Sequence, residues 1–198
     1  MNAAELRARF SRPYWLGETE VPYLFHKAGC TNGPIVEIGA AYGGSTVLFL
    51  LGKRPGVQVV SIDAFVEDPH THFRASETEC RAAVRQAVGE ELLADWTLIA
   101  RPSAEAAVVF RPMPIALFYV DGDHSYAGVH QDVSLWARHL AADGRLILHD
   151  SRRLPGADPR VFARGWPGPT RVAEELVASG AYEVLSSCYS MTELRRTP

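Results

Sequence analysis

Five short apolar runs limit most tightly what this chain can fold into. They are PIVEIG (34–39), VQVVSID (57–63), DWTLIA (95–100), IALFYVD (115–121) and RLILHD (145–150). Such runs, rich in Val, Ile, Leu and Phe and scarcely broken by polar residues, suit strands buried on both faces of a parallel sheet. Helical patterns lie between them. GGSTVLFLLG (43–52) follows the first run, and a second helix is expected over 76–93 from Val84, Val88 and Leu92. Val129, Val133, Trp136 and Leu140 fall at spacings of four, three and four, one face of a helix. PTRVAEELVASG has Thr170 as its expected N-cap and Gly180 as its stop. The tail reads as two last strands joined by a short turn. Strand–helix alternation predicts a doubly wound α/β sheet with right-handed crossovers.

In such a sheet ligands sit beyond the carboxyl ends of the strands. The unusual polar and glycine positions fall there: Glu37 and Gly39, Asp63, Ser103, Asp121 and Asp150. Gly39, Gly43 and Gly44 form a G-x-x-x-G-G turn that differs from the dinucleotide fingerprint G-x-G-x-x-G. The turn either brings backbone close to a ligand or is only a tight strand-to-helix connection. Asp63 either accepts both ribose hydroxyls of an adenosine or is a solvated turn residue.

On these residues the chain resembles the class I S-adenosylmethionine-dependent methyltransferases. EIGAAYGGST is similar to their first motif, Asp63 falls where their ribose-binding acid falls, and ARPSAE resembles the segment that places Ser103 near the adenine. The resemblance implies a Rossmann-like sheet of seven strands, mostly parallel with the last antiparallel, and helices on both faces. It covers the chain as a single domain over 1–198, with 33–198 as the cofactor-binding core and 1–32 as a helical segment contributing to a substrate lid. S-adenosylmethionine is the implied cofactor, held by Glu37, Gly39, Tyr42, Gly43, Ser45, Asp63, Ser103 and Asp121. Glu37 would organise the amino acid end directly or through a backbone N–H.

The stretch VDGDHSYAGVHQDVSLWARHLAADGRLILHD is similar to bacterial macrocin-type sugar O-methyltransferases and, more distantly, to catechol and caffeoyl-CoA types. This implies Mg²⁺ held by Asp121 and Asp150, with the third ligand His149, Ser151 or a water. His124 stands where the distant types have a lysine base, and an imidazole with a pKa near 6.5 suits that work. Each residue has a plainer reading: Asp121 as a strand-end cap, Asp123 as an N-cap, His124 as a turn residue, Tyr126 as packing. Tyr14, Trp15, Asp123, Tyr126 and Trp166 are candidate acceptor contacts, and His70 and His72 form an H-x-H pair in a polar loop.

A net charge of −3 with no basic run gives no case for nucleic acid or an anionic membrane. No apolar stretch reaches the length of a membrane span, and the start lacks a signal-peptide core, so cytoplasmic residence is expected. Cys30, Cys80 and Cys188 are widely spaced and expected to be free thiols. The expected activity is transfer of a methyl group to a hydroxyl of a small molecule, a sugar or glycoside ahead of a phenol, by a chain that forms a homodimer. The alternatives are a metal-independent N- or O-methyltransferase, a nicotinamide-dependent oxidoreductase, or a cofactor-binding protein without catalysis.

Overall fold

The computed structural model describes residues 1–12, 15–67, 72–152 and 166–197. Tyr14, His70 and residues 153–165 lie outside them. The elements run α1 (Ala3–Ala8), α2 (Glu20–Gly29), β1 (Ile35–Ile38), α3 (Gly44–Gly52), β2 (Val59–Ile62), α4 (Glu77–Val88), α5 (Glu90–Leu93) and β3 (Trp96–Ile99). They continue with α6 (Ser103–Val109), β4 (Ile115–Val120), α7 (Tyr126–Trp136), β5 (Leu140–Leu148), α8 (Pro167–Ala178), β6 (Tyr182–Cys188) and β7 (Met191–Arg196).

The seven strands form one sheet in the order β3-β2-β1-β4-β5-β7-β6. Strands β1 to β5 pair in parallel, while β7 runs antiparallel to both β5 and β6. The doubly wound sheet with an antiparallel last strand is therefore present as expected. The chain builds outward from β1 to β3, then returns to place β4 on the other side of β1. The crevice at that reversal is where α/β sheets bind ligands.

Alternation along the strands divides the core in two. Ile35, Leu117, Tyr119 and Ile147 face α2, α3 and α4 through Leu24, Phe49 and Val84. Val36, Phe118, Val120 and Leu146 face α6, α7 and α8 through Phe110, Trp136 and Val172. With apolar cover on both sides, the strands have no reason to alternate with polar residues.

Two elements depart from the expectation. Leu140 belongs to a strand, not to the helix whose stripe it completes: α7 ends at Trp136, a 3₁₀ turn covers Ala137–His139, and Leu140 pairs with Ile115. The pairing then slips between Ile115 and Leu117. A Cβ on Gly144 would lie 2.7 Å from the Ile115 carbonyl oxygen, so the glycine permits this close passage. The helix over 76–93 is also broken at Gly89, whose φ of 81° ends α4 before α5 starts. The three cysteines are free, with Cys30 exposed and Cys80 buried. Among the described residues, no helix is long and apolar enough to cross a membrane.

Candidate active site

A cavity of about 830 Å³ opens over the carboxyl ends of β1, β2, β4 and β5. Its floor starts where β1 meets β4. The Asp121 N–H donates to the Ile38 carbonyl at 2.8 Å, and a Cβ on Gly39 would fall 2.0 Å from the Asp121 carbonyl oxygen. Gly39 has a φ of 93°, so two constraints exclude a side chain there. Gly43 also has a positive φ and caps α3, but it faces α4: its Cβ would meet Val84 at 2.3 Å. The cavity is lined instead by Gly39, Tyr42, Gly44 and Ser45. Non-glycine residues in left-handed backbone gather around it, since Ala41, Phe65, Asp150 and Tyr189 all line it. Such strain persists where the surroundings fix it, often at functional sites.

Asp63 lines the same cavity. Its Oδ2 accepts the Ala41 N–H at 2.7 Å and its Oδ1 accepts the Phe65 N–H at 2.6 Å. Each oxygen keeps a further lone pair, so the carboxylate is held in place with capacity to spare. Burial raises its pKa against those backbone donors. Ser103 opens α6 at the cavity wall and donates to Asp132, a buried carboxylate on α7. Burial pushes the Asp132 pKa up to about 6.

Glu37 is a correction to the sequence reading. It is fully buried and is not part of the cavity lining. Its carboxylate accepts from Ser45 and Ser61, each at 2.5 Å, and from Thr46. It therefore fastens the start of α3 to β2 from beneath the cavity floor. Burial pushes its pKa up to about 7 despite the three hydroxyls.

The polar residues closing β4 and β5 converge. His149 Nδ1 lies 3.0 Å from Asp121 Oδ1 and 3.4 Å from Asp150 Oδ2. His124 Nε2 lies 3.6 Å and 3.4 Å from the same two oxygens. Both nitrogens are buried, and neither is aligned for a hydrogen bond. On its other side, His149 Nε2 faces Glu20 Oε2 at 3.4 Å. Two imidazole nitrogens and two carboxylate oxygens thus point at one place without bonding to each other. Positive charge at that point would relieve the repulsion of lone pairs. Without a cation the charge is protonic. Burial opposes it, yet Asp121 and Asp150 raise the His124 pKa to about 9 and, with Glu20, hold His149 well above its ordinary value. Burial likewise works to raise both aspartates, and the two histidines overcome it and hold them low. Asp121, His124 and His149 offer atoms within 4.8 Å of one another, a spacing that fits a metal ion. A carboxylate and imidazole set of this kind suits a divalent cation.

Ser151 is turned away. Its hydroxyl donates to the Leu148 carbonyl and bonds Thr192, which leaves His149 or a water as the third donor beside Asp121 and Asp150. Asp123 lines the cavity, but both its oxygens accept from Ser125, the N-cap of α7. Asp123, the expected cap, thus lies two residues before the observed one. Tyr126 is a second correction. Its hydroxyl donates to Glu175 and Arg171 lies over its ring, so it joins α7 to α8 outside the cavity. Trp166 stacks on the His124 ring at 4.8 Å. Trp15, 64% exposed, meets Phe73 at the mouth, and Phe73 in turn meets Tyr42. His72 is exposed and pairs with Glu67.

The N-terminal segment supplies Trp15, Leu16, Gly17 and Glu20 to the lining. Glu20 was missed in the sequence. As the first residue of a helix it looks like an ordinary acidic partner of the helix N-terminus.

Residues 36–151, more than half of the chain, match the family model of a methyltransferase domain. Among solved structures, the chain is similar to TomG, an O-methyltransferase from Streptomyces achromogenes involved in tomaymycin synthesis and determined with S-adenosylmethionine. The identity is 17%, over 99% of this chain and 88% of TomG, with a TM-score of 0.66. An O-methyltransferase from Bacillus cereus, in complex with S-adenosylhomocysteine, shares 17% identity over 98% of this chain and 90% of its own, with a TM-score of 0.64. The calicheamicin methyltransferase CalS11 shares 14% over 89% of this chain and 77% of its own, with a TM-score of 0.64. At these identities the likeness is one of fold. The chain belongs to the methyltransferase-domain family, and its sheet is that of the class I S-adenosylmethionine-dependent methyltransferases.

Proposed function

We propose that the protein is an S-adenosylmethionine-dependent O-methyltransferase that uses a divalent cation, Mg²⁺, to methylate a hydroxyl of a small molecule. The observation that carries this reading is the meeting of His149 Nδ1 and His124 Nε2, both buried and unbonded, with the Asp121 and Asp150 carboxylates. That donor set lies in the same cavity as the Gly39 turn and Asp63.

In this reading Asp63 accepts the ribose hydroxyls, Ser103 lies by the adenine, and the backbone of 39–45 borders the amino acid end. Asp121, His149 and Asp150 hold the cation. When bound, the cofactor supplies an electrophilic methyl group and the cation lowers the pKa of the acceptor oxygen. The chain's own residues then have three tasks. They hold the acceptor oxygen in line, which accounts for much of the barrier in such displacements. With a cation neutralising Asp121 and Asp150, His124 would no longer be held protonated by them, and its Nε2 would take the acceptor proton. Trp15, Phe73 and Trp166 cover the mouth and limit water. Their ring faces suit the C–H face of a sugar or glycoside, the preferred acceptor class, as well as an aryl ring. A homodimer that shares the mouth is part of the proposal, supported by exposed Trp15 and Val66.

The test is methyl transfer from S-adenosylmethionine to a panel of glycosides and phenols, with Mg²⁺ or with EDTA. The expected result is activity that EDTA and Asp150→Ala both abolish. Activity that survives EDTA replaces this reading with a metal-independent methyltransferase. His124→Ala is expected to keep cation binding and lose about 10²–10⁴-fold in rate. Because His124 Nε2 sits within the donor group, loss of cation binding in that variant assigns it as a fourth ligand instead.

A further inference from the structure

Glu20 opens α2 and is 1% exposed, although it lies before the stretch that matches the family model. A buried carboxylate is costly unless its lone pairs are met. Here they are. Oε1 accepts both the N–H of Ser190, at 3.1 Å, and its hydroxyl, at 2.6 Å. Oε2 accepts the Gly17 N–H at 2.7 Å and faces His149 Nε2 at 3.4 Å.

This arrangement fixes which imidazole nitrogen keeps its hydrogen when His149 ligates a cation. The Ser190 hydroxyl spends its hydrogen on Glu20, so toward His149 Nε2, 3.4 Å away, it presents only lone pairs. Glu20 Oε2 presents only lone pairs as well. Nε2 must therefore carry the hydrogen. In the neutral ring, Nδ1 is then bare and directed at Asp121 and Asp150. A carboxylate behind a ligating histidine orients the ring and raises its donor strength.

We propose that Glu20 is the positioning residue of the cation centre, setting the His149 tautomer that leaves Nδ1 free to ligate. The inference rests on the cation reading above. It makes the N-terminal segment part of the centre: the same Oε2 that faces His149 also holds Gly17, beside Leu16 and Trp15 at the cavity mouth.

A glutamine at position 20 tests it sharply. With its carbonyl kept toward the two Ser190 donors, its NH₂ gives up the Gly17 N–H bond, faces Nε2 and favours the opposite tautomer, with hydrogen on Nδ1. Full-length wild type and Glu20→Gln are titrated with Mn²⁺ by electron paramagnetic resonance, and the His149 tautomer is read from imidazole ¹⁵N shifts. The expected result is Mn²⁺ binding about 10–100-fold weaker in Glu20→Gln, with the hydrogen moved to Nδ1 and an unchanged circular dichroism spectrum. Equal affinity in the two proteins overturns the role of Glu20 and leaves the cation site standing. Absence of Mn²⁺ binding in the wild type overturns the cation site, and this inference with it. Should Glu20→Gln fail to fold, the wild-type ¹⁵N shifts decide alone. With Mg²⁺ bound, hydrogen on Nε2 and none on Nδ1 support the role, and the reverse assignment overturns it.

Discussion

Glu37 shows how one residue type can serve two ends. Its carboxylate is fully buried among Ser45, Thr46 and Ser61, and burial pushes its pKa from 4.5 to about 7. A folded pKa above the unfolded one means the folded chain holds the proton more tightly. The associated stability is fully present below pH 4.5 and is lost as pH rises through about 7. Two and a half pH units correspond to on the order of 3 kcal/mol. Urea unfolding of wild type and Glu37→Gln across this range should show the wild type losing about that much more stability than the variant. Parallel pH profiles would show that the hydroxyls keep Glu37 ionised throughout. From sequence, Glu37 was indistinguishable from a ligand contact because its hydroxyl partners lie on other elements. Asp63, by contrast, was legible: a carboxylate just past a strand end has the cavity beside it.

Among the elements, α7 ties the fold to the site. Ser125 accepts the Gly128 N–H and in turn donates to Asp123, so the helix start fixes the 121–125 turn that carries Asp121 and His124. Ser125→Ala should cost about 1 kcal/mol in thermal or urea unfolding. It should also lower activity, because the turn carries the proposed base; unchanged stability would mean that Asp123 replaces the cap. The central strands were legible because burial on both faces leaves continuous apolar runs. The far end of α7 was not. Leu140 continues the helical stripe and is buried, but what buries it is pairing with Ile115 in β5. Apolar spacing records that a residue is inside, not which hydrogen bonds hold it there. The short α6 was also missed, since its seven residues carry little periodic signal.

At the scale of the molecule, the N-terminal segment is joined to the antiparallel end of the sheet. Lys27 of α2 pairs with Glu193 of β7 at 2.6 Å, and Tyr23 donates to the same carboxylate. Glu193 is 2% exposed, so removing its cation leaves a buried charge. Lys27→Met should cost about 2 kcal/mol by urea unfolding, less than a fully enclosed pair because Lys27 is partly exposed. It should weaken cation binding too, since α2 carries Glu20. None of this was legible in the sequence: Glu20 and His149 stand 129 positions apart, and only the folded sheet brings them together. The account as a whole stands on an adenosine-bearing cofactor seated over the β1–β4 crevice. Calorimetric titration of S-adenosylmethionine into the full chain and into Asp63→Ala tests that most directly. The prediction is saturable binding by the wild type and a loss of roughly 10–100-fold in the folded variant, the worth of hydrogen bonds to a charged group. Failure of the wild type to bind S-adenosylmethionine would contradict the account.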